Sequence, residues 1–97
     1  MDETVDQVEQ ARQGDRAAKE ALGKWCLRRA FRFAYVDLGA GTPNRKELAE
    51  EIANTASLKA VTHLHQFQPG SRFDAWLHQI VRNCVRVSLS GRTKTIP

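Results

Sequence analysis

Residues 67–89 read FQPGSRFDAWLHQIVRNCVRVSL, and their spacing decides the fold class. From Phe73, apolar side chains recur at Trp76, Leu77, Ile80, Val81, Cys84, Val85 and Leu89. Steps of three and four residues place these side chains along one side of an α-helix, which can then bury that side against other helices. The opposite side carries His78, Arg82 and Arg86 at steps of four, with Gln79 and Asn83 beside them. Pro69 and Gly70 end whatever helix precedes them, and Ser71 is a suitable N-cap for this one.

Working outward, the remaining chain repeats the helical pattern. Turn-forming residues cluster at Gly14-Asp15, at GAGTPN (39–44), at QPGS (68–71) and in the last eight residues, SGRTKTIP. No stretch between them alternates with a period of two for long enough to make a strand. A first helix is predicted over Thr4–Gln13. A second starts at Asp15 as N-cap and runs to about Leu38, with Ala18, Leu22, Trp25, Cys26, Phe33 and Ala34 on its inner side. Gly23 interrupts it, at about 1 kcal/mol of helix propensity relative to Ala. A third is expected after the GAGTPN loop, with Asn44 and Glu47 forming a capping box and Leu48, Ile52, Ala56, Val61 and Leu64 facing inward up to Phe67. The fold class that follows is all-α, a compact bundle of three main helices plus a short N-terminal helix.

Length and composition narrow the function. The 97 residues suffice for one small core. No apolar run approaches a membrane span and no signal peptide opens the chain, so the expected location is cytoplasmic. Net charge is +4, unevenly distributed. The first fifty residues balance nine Lys/Arg against nine Asp/Glu, whereas the rest holds six basic residues and two acids, none of them after Asp74. A basic C-terminal segment on a neutral body suits a polyanion such as nucleic acid.

Other chemistries find no constellation. His63 and His65 are two apart, so on a helix they diverge by about 200° and cannot share a metal. Cys26 and Cys84 lack metal-type spacing and are expected to be buried, free thiols. The GAGT segment has neither the preceding strand nor the Lys-Ser/Thr of a phosphate loop. Glu50 and Glu51 read as solvated carboxylates on an exposed helix side. No catalytic set, metal or cofactor is implied, and no enzyme is expected. Phe73 and Trp76 are core residues by their spacing, while Phe67, at the end of the third helix, could lean its ring over a loop pocket. Arg82 and Arg86 suit phosphates, and Gln79 and Asn83 can each donate to and accept from a base edge.

Three segments resemble region 2 of bacterial sigma factors, of the extracytoplasmic-function (ECF) type, over about residues 8–92. ARQGDRAAKEAL (11–22) is similar to the family's A-x-x-G-D-x-x-A-x-x-x-L opening. AEEIANTASLKAV (49–61) is similar to its acidic A-E-D-L-V-Q-E-T-F-L-R-A helix, and QFQPGSRFDAWLHQIVRN (66–83) to R-F-R-P-G-G-S-F-R-A-W-L-x-R-I-A-R-N. The resemblance implies a non-enzymatic subunit of RNA polymerase occupying residues 1–92, with 93–97 starting a linker or disordered tail. It implies that Glu51, Asn54 and Thr55, in the positions of the family's D-x-x-Q-E triplet, and nearby Leu58 dock on the clamp helices of the largest core subunit. It further implies that Phe67, Gln68, Ser71 and Arg72 of the loop, with Gln79, Arg82, Asn83 and Arg86 of the last helix, open the promoter −10 element and hold its non-template strand around a flipped base. An anti-sigma partner is implied by analogy. The sequence departs from the pattern at Asn54 and Thr55, which shorten one side chain and remove a charge, at Ser57, at Val87, and at Ser90-Gly91, where the family has an Arg run. These departures motivate an alternative, a sigma-like interaction module that binds polymerase or a regulatory partner without opening DNA.

Overall fold

The computed structural model describes the backbone of residues 3–68 and 70–94 and the side chains of 7–68 and 70–89. Four α-helices follow in order: α1 (Glu3–Arg12), α2 (Arg16–Leu38), α3 (Arg45–Thr62) and α4 (Phe73–Lys94), with a 3-10 turn at Leu64–Gln66 after α3. Among the described residues there is no strand. The expected bundle of three long helices and a short first one is therefore what the chain forms.

Local chemistry accounts for most boundaries. Gly14 adopts a positive φ of 99° at the end of α1, a conformation open to glycine, and its N–H donates to Ala11 O at 3.0 Å. Asp15 then caps α2, its Oδ1 accepting from the Ala18 N–H at 3.1 Å, as expected. Gly39, with φ 81°, closes α2 and donates to Val36 O. The Thr42 hydroxyl donates back to Leu38 O, tying the 39–44 loop to the helix it leaves.

Two starts differ from the sequence reading. Asn44 does stand at the cap of α3 and its carbonyl accepts from Leu48 N–H at 2.9 Å, but its backbone is left-handed (φ 54°, ψ 39°) and its side chain makes no cap hydrogen bond. A capping box needs an extended N-cap residue, and Asn is instead used here for its tolerance of the left-handed region. At α4 the Arg72 carbonyl accepts from Trp76 N–H at 3.1 Å, so Arg72 occupies the cap position one residue after Ser71, whose N–H closes a turn onto Gln68 O. Gly70 (φ 92°) makes that turn, whereas the expected helix-ending role of Pro69 falls outside the described residues. α4 continues to Lys94, past the expected linker start at 93, and residues 95–97 lie outside the description.

The core has two connected halves. One gathers Val8 and Ala11 of α1, Leu22 and Cys26 of α2, Leu64, Phe67, and Phe73 with Leu77 of α4. The other packs Ala30, Ala34 and Leu38 against Ala49, Ile52, Ala53 and Ala56 of α3 and Val81, Cys84 and Val85 of α4. The inner side of α3 is thus mostly alanine, and small residues on both α2 and α3 let these two helices pack closely. Leu48 and Val61, expected inside, are only half-buried at its margins. Side-chain pairs fix the directions: a Cβ on Gly23 would meet Val61 at 3.8 Å, so α3 runs back along α2. Arg29 meets Asp74 and Asp37 meets His78, so α4 runs in the same sense as α2.

Candidate polymerase and nucleic-acid interfaces

The expected nucleic-acid residues divide by where the fold puts them. Gln79, Arg82, Asn83 and Arg86 are all exposed along one side of α4, opposite buried Leu77, Val81 and Cys84. Arg72, seven residues before Gln79, extends the same stripe to the loop, where Gln68 and Ser71 are exposed as well. Among the described residues no acid pairs with Arg72, Arg82 or Arg86. Asp74, the last acid in the chain, is turned toward α2: its Oδ1 lies 3.7 Å from the Arg29 Nε, and that guanidinium also sits 4.9 Å from the Trp25 ring centre. The cationic character of the open side of α4 is therefore undiluted by its own carboxylate.

Two expectations are corrected. Phe67 does not lean over a loop pocket; it is 6% exposed, edge-on to Phe73 at 5.2 Å and tilted against Trp76 at 5.4 Å. The apolar walls offered by Phe73 and Trp76 favour burying the ring, so Phe67 forms the floor that holds the 67–72 loop in place. His78 does not share the open side with Arg82 and Arg86 either. Its ring lies flat on Phe33 (4.2 Å between centres, 8° between planes) and its Nε2 is 3.2 Å from Asp37, which ties α4 to α2. Trp76 keeps part of its surface open beside the loop, unlike the buried Phe73.

The expected docking residues Glu51, Asn54, Thr55 and Leu58 fall at i, i+3, i+4 and i+7 on the crest of α3 and are all exposed, Leu58 to 68%. A groove runs along each side of this crest. Glu51 and Thr55 border the α3–α4 groove, a cavity of about 250 Å³ with Leu48, Ile52, Cys84 and Val87. Asn54 and Leu58 border the α2–α3 groove with Leu27 and Val61. A knob-like apolar residue between two grooves is a shape that packs against a helical partner.

Sequence reasoning missed a second cationic feature. α2 carries six basic residues against Glu20 and Asp37, a local excess hidden by the acids of α1 and α3 when the first fifty residues are summed. Its signal was available in the four-residue spacing of Lys24, Arg28 and Arg32.

Both cysteines are buried and free. Burial, and secondarily the charge of Asp74, push the Cys26 thiol up to about 12. Among the described residues no cluster of three or more His, Cys, Asp and Glu could hold a metal ion, and no helix is long and apolar enough to cross a membrane.

No curated protein and no solved structure matches the chain. The family model for sigma-70 region 2 matches residues 20–95, which takes in nearly all of α2 and the whole of α3, the loop and α4. The N-terminal part of the ARQGDRAAKEAL resemblance lies before the matched region. Sigma-70 region 2 is a transcription-factor domain that binds RNA polymerase and takes part in promoter recognition, not an enzyme family. The all-helical bundle, the acid-free cationic stripe on α4 and this match over most of its length agree: the chain belongs to the sigma-70 region 2 family.

Proposed function

We propose that this domain acts in the manner of ECF sigma factors, docking on the clamp helices of the largest subunit of core RNA polymerase and capturing the non-template strand of the promoter −10 element. The observation that carries the reading is the exposed Gln79–Arg82–Asn83–Arg86 stripe, which continues through Arg72 into the 67–72 loop. In this mechanism the buried Phe67 and Phe73, with the half-buried Trp76 against them, hold the loop in place while Gln68, Ser71 and Arg72 surround an unstacked base. The half-open Trp76 indole offers apolar surface beside it. Arg82 and Arg86, with Arg72 at the loop end of the stripe, hold phosphates of the displaced strand, and Gln79 and Asn83 read base edges. Contacts made only to the single strand offset an unpairing cost of a few kcal/mol. Glu51, Asn54, Thr55 and Leu58 carry the polymerase contact. Residues 1–92 form the working unit, it operates in the cytoplasm, and an anti-sigma factor regulates it.

The test is a titration of a fluorescent −10 non-template single strand and its duplex with this domain at low salt. Preference for the single strand supports the reading, and equal affinity for both, unaffected by Gln68→Ala and Ser71→Ala, counts against capture of a base.

The alternative, an interaction module that leaves DNA closed, draws on Asn54, Thr55 and Ser90-Gly91 standing where the family has Gln, Glu and arginines. Binding to polymerase with no measurable affinity for the single strand would favour it.

A further inference from the structure

His63 and His65 stand where α3 gives way to the 3-10 turn. The divergence of about 200° expected of two such residues on an α-helix does not hold for them. α3 stops at Thr62, His63 takes non-helical angles (φ −104°, ψ 24°), and Leu64–Gln66 wind at about three residues per turn. The two rings, both exposed, thereby come to 6.3 Å between centres at 35° between planes. Two imidazoles on one ion, with metal–nitrogen bonds of about 2.0–2.1 Å, have ring centres roughly 5–6 Å apart. A small rotation of an exposed ring closes that gap.

Polar contacts prepare one ring and leave the other open. His63 Nδ1 lies 3.0 Å from Lys59 O, and a carbonyl only accepts, so in the neutral ring Nδ1 carries the proton and Nε2 keeps its lone pair. Metal-ligating histidines are held in tautomer and orientation by this kind of hydrogen bond. The same carbonyl accepts from the His63 backbone N–H at 2.9 Å, which anchors the residue to the last turn of α3. The His65 ring has no hydrogen bond or ion pair among the described residues, so either of its nitrogens can bind. His78, by contrast, gives its Nε2 to Asp37 and its face to Phe33. No group of three or more His, Cys, Asp and Glu converges among the described residues, so the chain supplies this pair alone. A closed four-ligand zinc site and a three-ligand catalytic one are both excluded. The pair suits an ion that completes its shell with water, and the order of divalent affinities puts Cu(II) ahead of Ni(II) and Zn(II).

We infer that His63 and His65 form a two-imidazole site for a divalent transition-metal ion, Cu(II) above Ni(II) or Zn(II), at the end of α3. The ion bridges the last turn of α3 to the segment that enters Phe67, and water fills its remaining positions. The site shares no residue with the polymerase crest or the promoter-strand stripe, and it stands whether or not those readings do.

The experiment titrates the untagged 97-residue chain with CuCl2, followed by calorimetry and by amide NMR. One Cu(II) per chain is expected, with paramagnetic broadening centred on His63 and His65 rather than on His78. His65→Ala removes an exposed ring that holds no hydrogen bond, so the fold should keep its helicity by circular dichroism. It should weaken binding about tenfold or more, because the second imidazole acts as an intramolecular ligand. ZnCl2 should bind at the same residues more weakly. Broadening centred on the N-terminal amine or on His78, or unchanged affinity in His65→Ala, overturns the proposal. So does equal affinity in denaturing urea, since His63-Leu64-His65 would then bind as a bare sequence without the turn.

Discussion

Replacing Arg82 and Arg86 with alanine gives the sharpest reading of the α4 stripe. Both side chains are exposed and unpaired among the described residues, so their removal leaves the core and its polar contacts intact. With Arg72 they make three cations available to phosphates of a single strand. Each neutralised phosphate contributes about 0.7 to the slope of log affinity against log salt for single strands. Three contacts give a slope of about −2.1, or a loss of about 18-fold between 50 and 200 mM salt. The double variant keeps Arg72, so the slope falls to about −0.7 and the same change in salt costs about threefold. Fluorescence anisotropy with a −10-type oligonucleotide at four salt concentrations measures both slopes. An unchanged slope with a uniform drop in affinity would mean that the arginines shape the surface rather than meet phosphates, and the assignment would fail.

Three further predictions concern the scaffold. Gly23→Ala should raise stability by about 0.5–1 kcal/mol, because the added Cβ meets Val61 Cγ2 at an ordinary 3.8 Å and the helix gains a better former; a lower Tm would show that the α2–α3 approach is tighter than it looks. Leu77→Ala removes a fully buried side chain between α4 and the first half of the core, and thermal unfolding should show a loss of about 2–5 kcal/mol; a loss under about 1 kcal/mol would contradict the packing described. Cys26 is held protonated by burial in the folded chain, up to about 12 against an ordinary value of 9.0. The unfolded thiol ionises first, so this contribution is present below pH 9 and declines as pH rises toward 12, by at most about 1.4 kcal/mol per pH unit. Denaturant titrations at pH 8 and 10.5 should therefore show a smaller fall in stability for Cys26→Ala than for the natural chain, and identical falls would refute the burial account.

The helices were legible because their signals are local. Asp15 caps α2 where a short acceptor follows a glycine turn, and the three-and-four spacing of α4 maps onto its inner side from Phe73 to Val85, while Leu89, the last residue of the pattern, is exposed. What failed depended on contacts that spacing does not report. Asn44 beside Glu47 matches a capping box in letters, but the loop enters α3 through a left-handed residue. His78 shares a helical side with Arg82 by number, yet Phe33 and Asp37 on a distant helix claim it. Phe67 looked terminal and is interior, since the turn at 68–72 folds it onto Phe73 and Trp76. The crest on α3 was readable as a motif, but the grooves beside it exist only once α2 and α4 are packed. The cations of α2 disappeared in a half-chain sum, although the fold separates them from the acids that balanced them.

The most direct test of the central claim is a titration of this domain with a fluorescent clamp-helix fragment of the host's largest polymerase subunit, beside an Asn54→Ala, Leu58→Ala variant. The account predicts saturable binding by the natural chain and a loss of about tenfold or more in the variant, with unchanged helicity by circular dichroism. A folded natural domain that leaves the fragment unbound would contradict it, and would reduce the sigma resemblance to shared fold.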